Sequence, residues 1–197
     1  MAGRTDGAPG PSIRPATPAD APALLEIYAF YVTDTAVSFE YAPPSADEFA
    51  RRMEAVLARY PWLVIGDGER LLGYAYAAPF KGRAAYDWSV EVTVYLAPDA
   101  RGRGLGRRLY EALEEELRRM GVRNLYACIA CPDPEDEYLT LASPRFHARM
   151  GYREAGRYRR CASKFGRWYD MVWMEKHIGG HEPAPEPIVS WPEARRD

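Results

Sequence analysis

The most regular stretch of the chain is 88–96, WSVEVTVYL, in which apolar and polar positions alternate. Trp88, Val90, Val92, Val94 and Leu96 fall on one face of a strand, and Ser89, Glu91, Thr93 and Tyr95 on the other. A helix over 105–120 follows, with Leu105, Leu109, Leu113 and Leu117 as its inward stripe and Gly121 as its stop. Its wet face carries the pairs Glu114–Arg118 and Glu115–Arg119. Upstream, Thr17 with Pro18 starts a helix to about Val32 that turns Leu24, Ile27, Tyr28 and Tyr31 inward. Ser45 and Glu48 form a capping-box signature for a second helix to about 59, with Phe49, Met53, Val56 and Leu57 inside. Strands are predicted at 12–14, at 60–65 and 71–77 around the turn GDGE, and at 124–130. Ser143 and Pro144 open a short helix that Gly151 stops, and late strands at 152–158 and 169–178 flank CASKFGRW.

The order β α α β β β α β α β β, without an internal repeat, predicts one α/β domain over 12–178 around a mixed, mostly antiparallel sheet. The Gly- and Pro-rich residues 1–11 and the Pro-rich residues 179–197 read as flexible tails.

Composition narrows the partners. A formal net charge of −2 gives no global pull toward nucleic acid or an anionic membrane. No apolar run reaches the roughly 18 residues of a spanning helix, and the N-terminal residues lack the apolar core of a signal peptide, so a cytoplasmic protein is expected. Cys128, Cys131 and Cys161 fit a reducing compartment. Cys128 and Cys131 form a CxxC, but no second ligand pair exists and the motif closes a strand, so strand packing is the expected role. His177 and His181 have metal-like spacing at the start of the tail, and no metal is expected there.

Between the alternating strand and the leucine-striped helix lies RGRGLGRR at 101–108. Glycines let the backbone turn tightly and approach a ligand; the helix N-terminus and the arginines attract an anion. A dinucleotide fold places such glycines in its first βα unit, and a P-loop ends in Gly-Lys-Ser/Thr; neither holds here. The predicted ligand is therefore another phosphate-bearing molecule, held beside the strand's one carboxylate, Glu91. Two aromatic loops, 33–44 with Phe39 and 79–86 with Phe80, Arg83 and Tyr86, are structural plugs or pocket walls.

The 101–106 pattern resembles the acetyl-CoA pyrophosphate loop of the GNAT acetyltransferases, Q/R-x-x-G-x-G/A. The resemblance runs from about 13 to 176. TAVSF at 35–39, YPW at 60–62, GYAY at 73–76, the VE and VY pairs of the central strand, and KFGRW at 164–168 with Asp170 are similar to the phosphinothricin / methionine sulfoximine acetyltransferase branch. It implies the GNAT fold with helices on both sheet faces, acetyl-CoA, no metal, a small amino-acid-like amine acceptor and a homodimer. It implies coenzyme contacts from Val94, Tyr95 and Leu96, from Arg101, Gly102, Arg103, Gly104, Leu105, Gly106 and Arg107, and from Thr140 and Ser143. Thr140 stands where the family carries Asn. Phe39, Phe80, Arg83, Tyr86, Glu91 and Thr93 would line the acceptor pocket. Glu91 would take the amine proton, directly or through water. A backbone N–H near Val94 would meet the thioester oxyanion. His147 is either an aid to the leaving thiolate or a neutral core histidine. A peptide N-terminus or an aminoglycoside as acceptor, or a non-catalytic acetyl-CoA-binding module, are the alternatives.

Overall fold

The structure, a computed structural model, describes residues 10–196. The elements in chain order are β1 (Ser12–Pro15), α1 (Ala21–Thr33), α2 (Ala46–Leu57), β2 (Trp62–Asp67), β3 (Arg70–Pro79), β4 (Ser89–Leu96), α3 (Leu105–Arg119), β5 (Asn124–Cys131), α4 (Ala142–Arg149), β6 (Arg153–Lys164), β7 (Arg167–His177) and α5 (Trp191–Ala194). They form a seven-stranded sheet of order β1-β2-β3-β4-β5-β7-β6. Every neighbouring pair is antiparallel except β4–β5. This is the mixed, mostly antiparallel sheet the element order predicts.

Helices cover both faces. Tyr28 and Tyr31 of α1 pack on Tyr95, and Phe49 of α2 packs on Trp62 and Tyr74. On the opposite face, Gly106 of α3 lies against Leu96 and against Phe146 of α4. The polar side of β4 is therefore not wet: Ser89 is buried and Tyr95 sits among α1 and β3 aromatics.

Local signals place the starts. Thr17 donates its N–H to Asp20 at 2.7 Å, and the chain makes one 3-10 turn before α1. Ser45 accepts from the Glu48 N–H at 3.2 Å, while the Glu48 carboxylate turns outward to Arg51 and Arg52 instead of closing the box.

Two expectations are corrected. CASKFGRW is not a connection, because β6 and β7 run through it as one long hairpin. Phe165 and Gly166 form its tip, both with positive φ, +52° and +73°. That two-residue geometry is usually signalled by Asn-Gly or Asp-Gly, which Phe-Gly hides. The second concerns the Pro-rich segment after 178, which stays on the domain. Trp88 Nε1 donates to the Glu186 carbonyl at 2.8 Å, and Val189 N–H donates to Met120 at 3.0 Å. Trp191 is only 5% exposed and donates Nε1 to Glu116 at 2.7 Å. Two apolar anchors, Ile188 and Trp191, suffice to dock it but are too few to make a periodic pattern. The proposed N-terminal tail lies outside the described residues except for 10 and 11.

Replacing Trp191 by Ala empties that socket. The change is expected to lower stability by about 3 kcal/mol in urea unfolding; an unchanged midpoint would show that the segment adds nothing.

Candidate active site

The site is set by where β4 and β5 stop pairing. Their parallel ladder holds only Ser89–Asn124, Val90–Leu125 and Glu91–Tyr126. Beyond it the strands part, and a cavity of about 870 Å³ lies between Val92–Leu96 on one side and 127–130 on the other. Ser89 O accepts from Phe80 N–H and Ala97 N–H donates to Leu72 O, so odd-numbered β4 residues bond toward β3. Trp88 O accepts from Arg123 and Asn124 N–H on the β5 side, so even-numbered residues face the cleft. Val92, Val94 and Leu96 thus aim backbone groups into the opening. Leu96 is already engaged: the Tyr31 hydroxyl donates to its C=O at 2.6 Å and accepts from its N–H at 3.3 Å. The coenzyme contact read for the Leu96 N–H is met inside the protein, which leaves Val94 as the open position.

The glycine-arginine loop closes the far end. Gly102 and Gly104 have φ of +73° and +77°, a left-handed backbone that other residues rarely adopt. Gly106 has no such need. A Cβ there would meet Phe146 at 3.5 Å and Leu96 at 3.6 Å, ordinary contact, so its missing side chain serves to leave the α3 N-terminus bare toward the cavity. The arginines divide. Arg101 lies over the Phe30 and Tyr31 rings at 5.1 and 5.0 Å, and Arg108 donates to the Pro11 carbonyl. Arg103 has no partner among the described residues, and Arg107 has only a 3.7 Å contact to Glu111. A bare helix start with two available arginines fits a pyrophosphate.

Glu91 stands at the fork, half-buried on the α1/α2 face. Its carboxylate has no hydrogen-bond partner among the described residues. Burial raises its pKa, partly offset by the charge of Lys81. A carboxylate held this way is a better proton acceptor near neutrality than a solvated one.

These features are shared with known proteins. Residues 13–173 match the family described as acetyltransferase (GNAT) domain. The chain belongs to the GNAT acetyltransferases. It is 34% identical to a phosphinothricin N-acetyltransferase of Streptomyces coelicolor over 84% of this chain and 95% of the relative. It is 33% identical to an L-methionine sulfoximine/L-methionine sulfone acetyltransferase of Pseudomonas aeruginosa over 88% and 98%. A phosphinothricin acetyltransferase from Sinorhizobium meliloti, solved in complex with acetyl-CoA, superposes with a TM-score of 0.82 at 32% identity, covering 91% of this chain and 95% of that one.

Among the residues read from the sequence, Glu91, Thr93, Val94, Tyr95, Leu96, Arg101, Gly102, Gly104, Leu105, Gly106, Arg107, Thr140, Ser143 and His147 line this GNAT cleft. Arg103 stands outside its wall. Four residues read for the acceptor pocket do not line this cleft. Phe39 stacks on Tyr169 in a separate small core with Ala36, Ala130 and Leu139. Phe80 stacks on Tyr126 at 4.2 Å and meets Tyr86 and Trp173 edge-on. Arg83 and Tyr86 are exposed on the same loop. Thr140 accepts from the Ala142 N–H at 3.3 Å. The acidic loop before α4 turns toward the hairpin: Arg167 pairs with Asp136 and Glu137, and Glu135 accepts from the Leu141 N–H. Cys128 and Cys131, three apart on a strand, point to opposite faces and cannot chelate together. Trp168 is 65% exposed, whereas Lys164 is buried and donates to the Val32 and Ser38 carbonyls at 2.7 and 2.6 Å. Sequence reasoning missed Tyr31, Tyr76 and Tyr110 as cavity walls, since each sits in an apolar pattern that reads as core.

His147 lines the cleft with the surroundings of a core histidine. It is 4% exposed and donates Nδ1–H to the Ser143 carbonyl at 2.9 Å, so its Nε2 accepts from the Tyr110 hydroxyl at 2.9 Å. Burial lowers its pKa to about 4, and it stays neutral with its one proton already committed. The unfolded chain therefore takes up a proton between pH 6.5 and 4 that the folded chain refuses. The stability held above pH 6.5 should fall by about 3 kcal/mol on acidification through this pKa of about 4. Urea unfolding across that range should show the slope in the native protein, and His147→Gln should flatten it.

Proposed function

We propose that the chain transfers the acetyl group of acetyl-CoA to the amine of a small amino-acid-like acceptor, by direct transfer in a ternary complex. The observation that carries this reading is Glu91: a half-buried carboxylate without a partner, at the fork of a split sheet whose open end is an anion-binding loop. The names of the relatives, phosphinothricin and methionine sulfoximine/sulfone acetyltransferases, support the acceptor class.

Bound in the cleft, acetyl-CoA supplies the acyl group as an activated thioester. The residues that would hold it are the 102–107 backbone with Arg103 and Arg107, and the cleft-facing backbone of Val94. Glu91 removes one proton from the acceptor ammonium, which frees the nitrogen lone pair to form the amide bond as the thioester C–S bond breaks; the nitrogen's second proton leaves with CoA as its thiol. Lys81, over the Phe80 and Trp173 rings, and Arg83 are cations on one exposed loop with no ion-pair partner among the described residues, and they suit the acceptor's carboxylate; Lys81 already acts on Glu91 through its charge. The Val94 N–H stands where negative charge develops on oxygen. His147 and Tyr110 act on one another and keep α4 registered on α3 rather than moving protons.

We also read the protein as cytoplasmic and homodimeric. Three free cysteines support the first. An exposed aromatic cluster supports the second: Tyr41 (78% exposed) donates to the Ser163 carbonyl, opposite Trp168 (65%), on the hairpin that also carries Tyr158 (61%). Light scattering should report a dimer that Trp168→Glu converts to a monomer; a monomeric native protein removes this part of the reading.

Glu91→Gln keeps the shape and removes the base. It should lower kcat by about 100-fold at neutral pH, with acetyl-CoA affinity within about twofold. In the native enzyme kcat/KM should fall on acidification through a pKa above the ordinary carboxylate value, and the variant should lose that limb. An unchanged kcat takes Glu91 out of the mechanism.

A further inference from the structure

Among the described residues Lys164 is the one buried cation, and the transfer chemistry above leaves it unused. It is 3% exposed, does not line the cleft and has no carboxylate partner. Its ammonium donates instead to two backbone carbonyls, Val32 at 2.7 Å and Ser38 at 2.6 Å. Burying an ammonium with no carboxylate beside it is costly. The Val32 carbonyl offsets part of that cost, because it lies in the last turn of α1, where carbonyls lack an intrahelical donor and the helix dipole is negative.

The two carbonyls are the ends of one short segment. Joining them draws 33–37 into a loop whose Asp34, Thr35 and Val37 line the cleft. The segment continues α1, whose Tyr31 packs on Tyr95, so it lies on the face of the sheet that carries Glu91. Its apex reaches across the fork: Ala36, fully buried, donates its N–H to the Tyr138 carbonyl at 3.0 Å. Tyr138 belongs to the loop after β5, on the other side of the cleft, and lines it with Glu137 and Leu139.

The hairpin that carries Lys164 holds this second loop as well. Phe165 stacks on Tyr138 at 4.3 Å, the Tyr169 hydroxyl donates to Asp136 at 2.9 Å, and Arg167 pairs with Asp136 at 2.9 Å. Past the three-pair ladder, the two half-sheets are thus rejoined by a brace of two loops mounted on one hairpin. Lys164 is the group in it that holds both ends of the loop on Glu91's side. The 102–107 backbone, by contrast, opens α3 on the opposite face.

Resting on the transfer reading above, we propose that Lys164 is a positioning residue for the acceptor. It sets the 34–37 wall, and through that wall the place of the amine, without touching either ligand. The hold on the coenzyme phosphates, at 102–107, does not depend on it.

Steady-state kinetics of the native enzyme and of Lys164→Met test this, with the best-used acceptor among L-methionine sulfone, L-methionine sulfoximine and phosphinothricin. Met keeps the length of the stem and removes the charge and the donors. The acceptor KM should rise by about 10-fold or more, within the range that a small misplacement of a reactant produces, while the acetyl-CoA KM stays within about twofold. A role in stability alone lowers the amount of folded enzyme, and so the apparent kcat, and moves neither KM. Val37→Gly, at an exposed position of the wall, loosens the segment with Lys164 in place. It should raise the acceptor KM by about threefold or more, again with the acetyl-CoA KM unmoved, and it decides the proposal if Lys164→Met does not fold. An acceptor KM unchanged in either folded variant, or an acetyl-CoA KM that rises in parallel with it, overturns the proposal while the transfer reading stands. A native protein that acetylates none of the three removes the transfer reading and the proposal with it.

Discussion

Three residue pairs, from Ser89–Asn124 to Glu91–Tyr126, are all that join β4 to β5. Each strand is committed on its other edge: β4 to β3 from Gly73 to Pro79, and β5 to β7 along its whole length. The seam between the two halves of the sheet is thus the weakest line in it, and past Glu91 it opens. Strand backbone is usually spent on neighbouring strands. Past the ladder the even-numbered β4 groups at Val94 and Leu96 point into a cavity, and of these two, among the described residues, Leu96 has them answered, by Tyr31. The helices follow from this. α1 brings Tyr31 to the edge of the opening, α3 starts at its far end with a bare turn, and α4 covers the flank.

The buried charges show which groups serve the fold and which serve chemistry. Lys164 is buried but satisfied by two carbonyls, which ties the β6–β7 hairpin to the end of α1 and the following loop. Asp170 accepts from the Arg160 N–H and from Arg157 where β6 bulges. Glu114 takes Lys176 and Arg118. Each is a closed account of donors and acceptors. Glu91 is the exception, desolvated and unanswered, at the place where two half-sheets part. Departures from local satisfaction concentrate at working sites, and this one lines the cleft.

Much of this was legible in the sequence. The alternation of 88–96 and the leucine stripe of α3 define the strand and helix, and the glycine pattern between them marks the bare turn at the end of the cleft. Glu91 is visible as the one carboxylate on that strand. What stayed hidden depends on tertiary context. The polar face of β4 is covered because α1 and α2 lie on it, which periodicity along one strand does not reveal. Phe39 and Phe80 look like pocket walls by loop position, but each finds an aromatic partner from a distant strand, Tyr169 and Tyr126. The tail looks loose because Ile188 and Trp191 are isolated in Pro-rich sequence, yet a socket formed by α3, Arg59 just past α2 and the Met120–Gly121 turn receives them. Tyr31 reads as core and is half core: its ring packs, and its hydroxyl works on the β4 backbone.

The central claim is that β4 presents backbone to the coenzyme and side chain to the acceptor. Residue-resolved amide hydrogen exchange, with and without CoA, tests it most directly. Exchange should slow at Val94 and across 104–107, while Thr93 and Tyr95, already bonded to β3, stay unchanged. Bound CoA that leaves Val94 and the 104–107 amides exchanging as before would contradict the account.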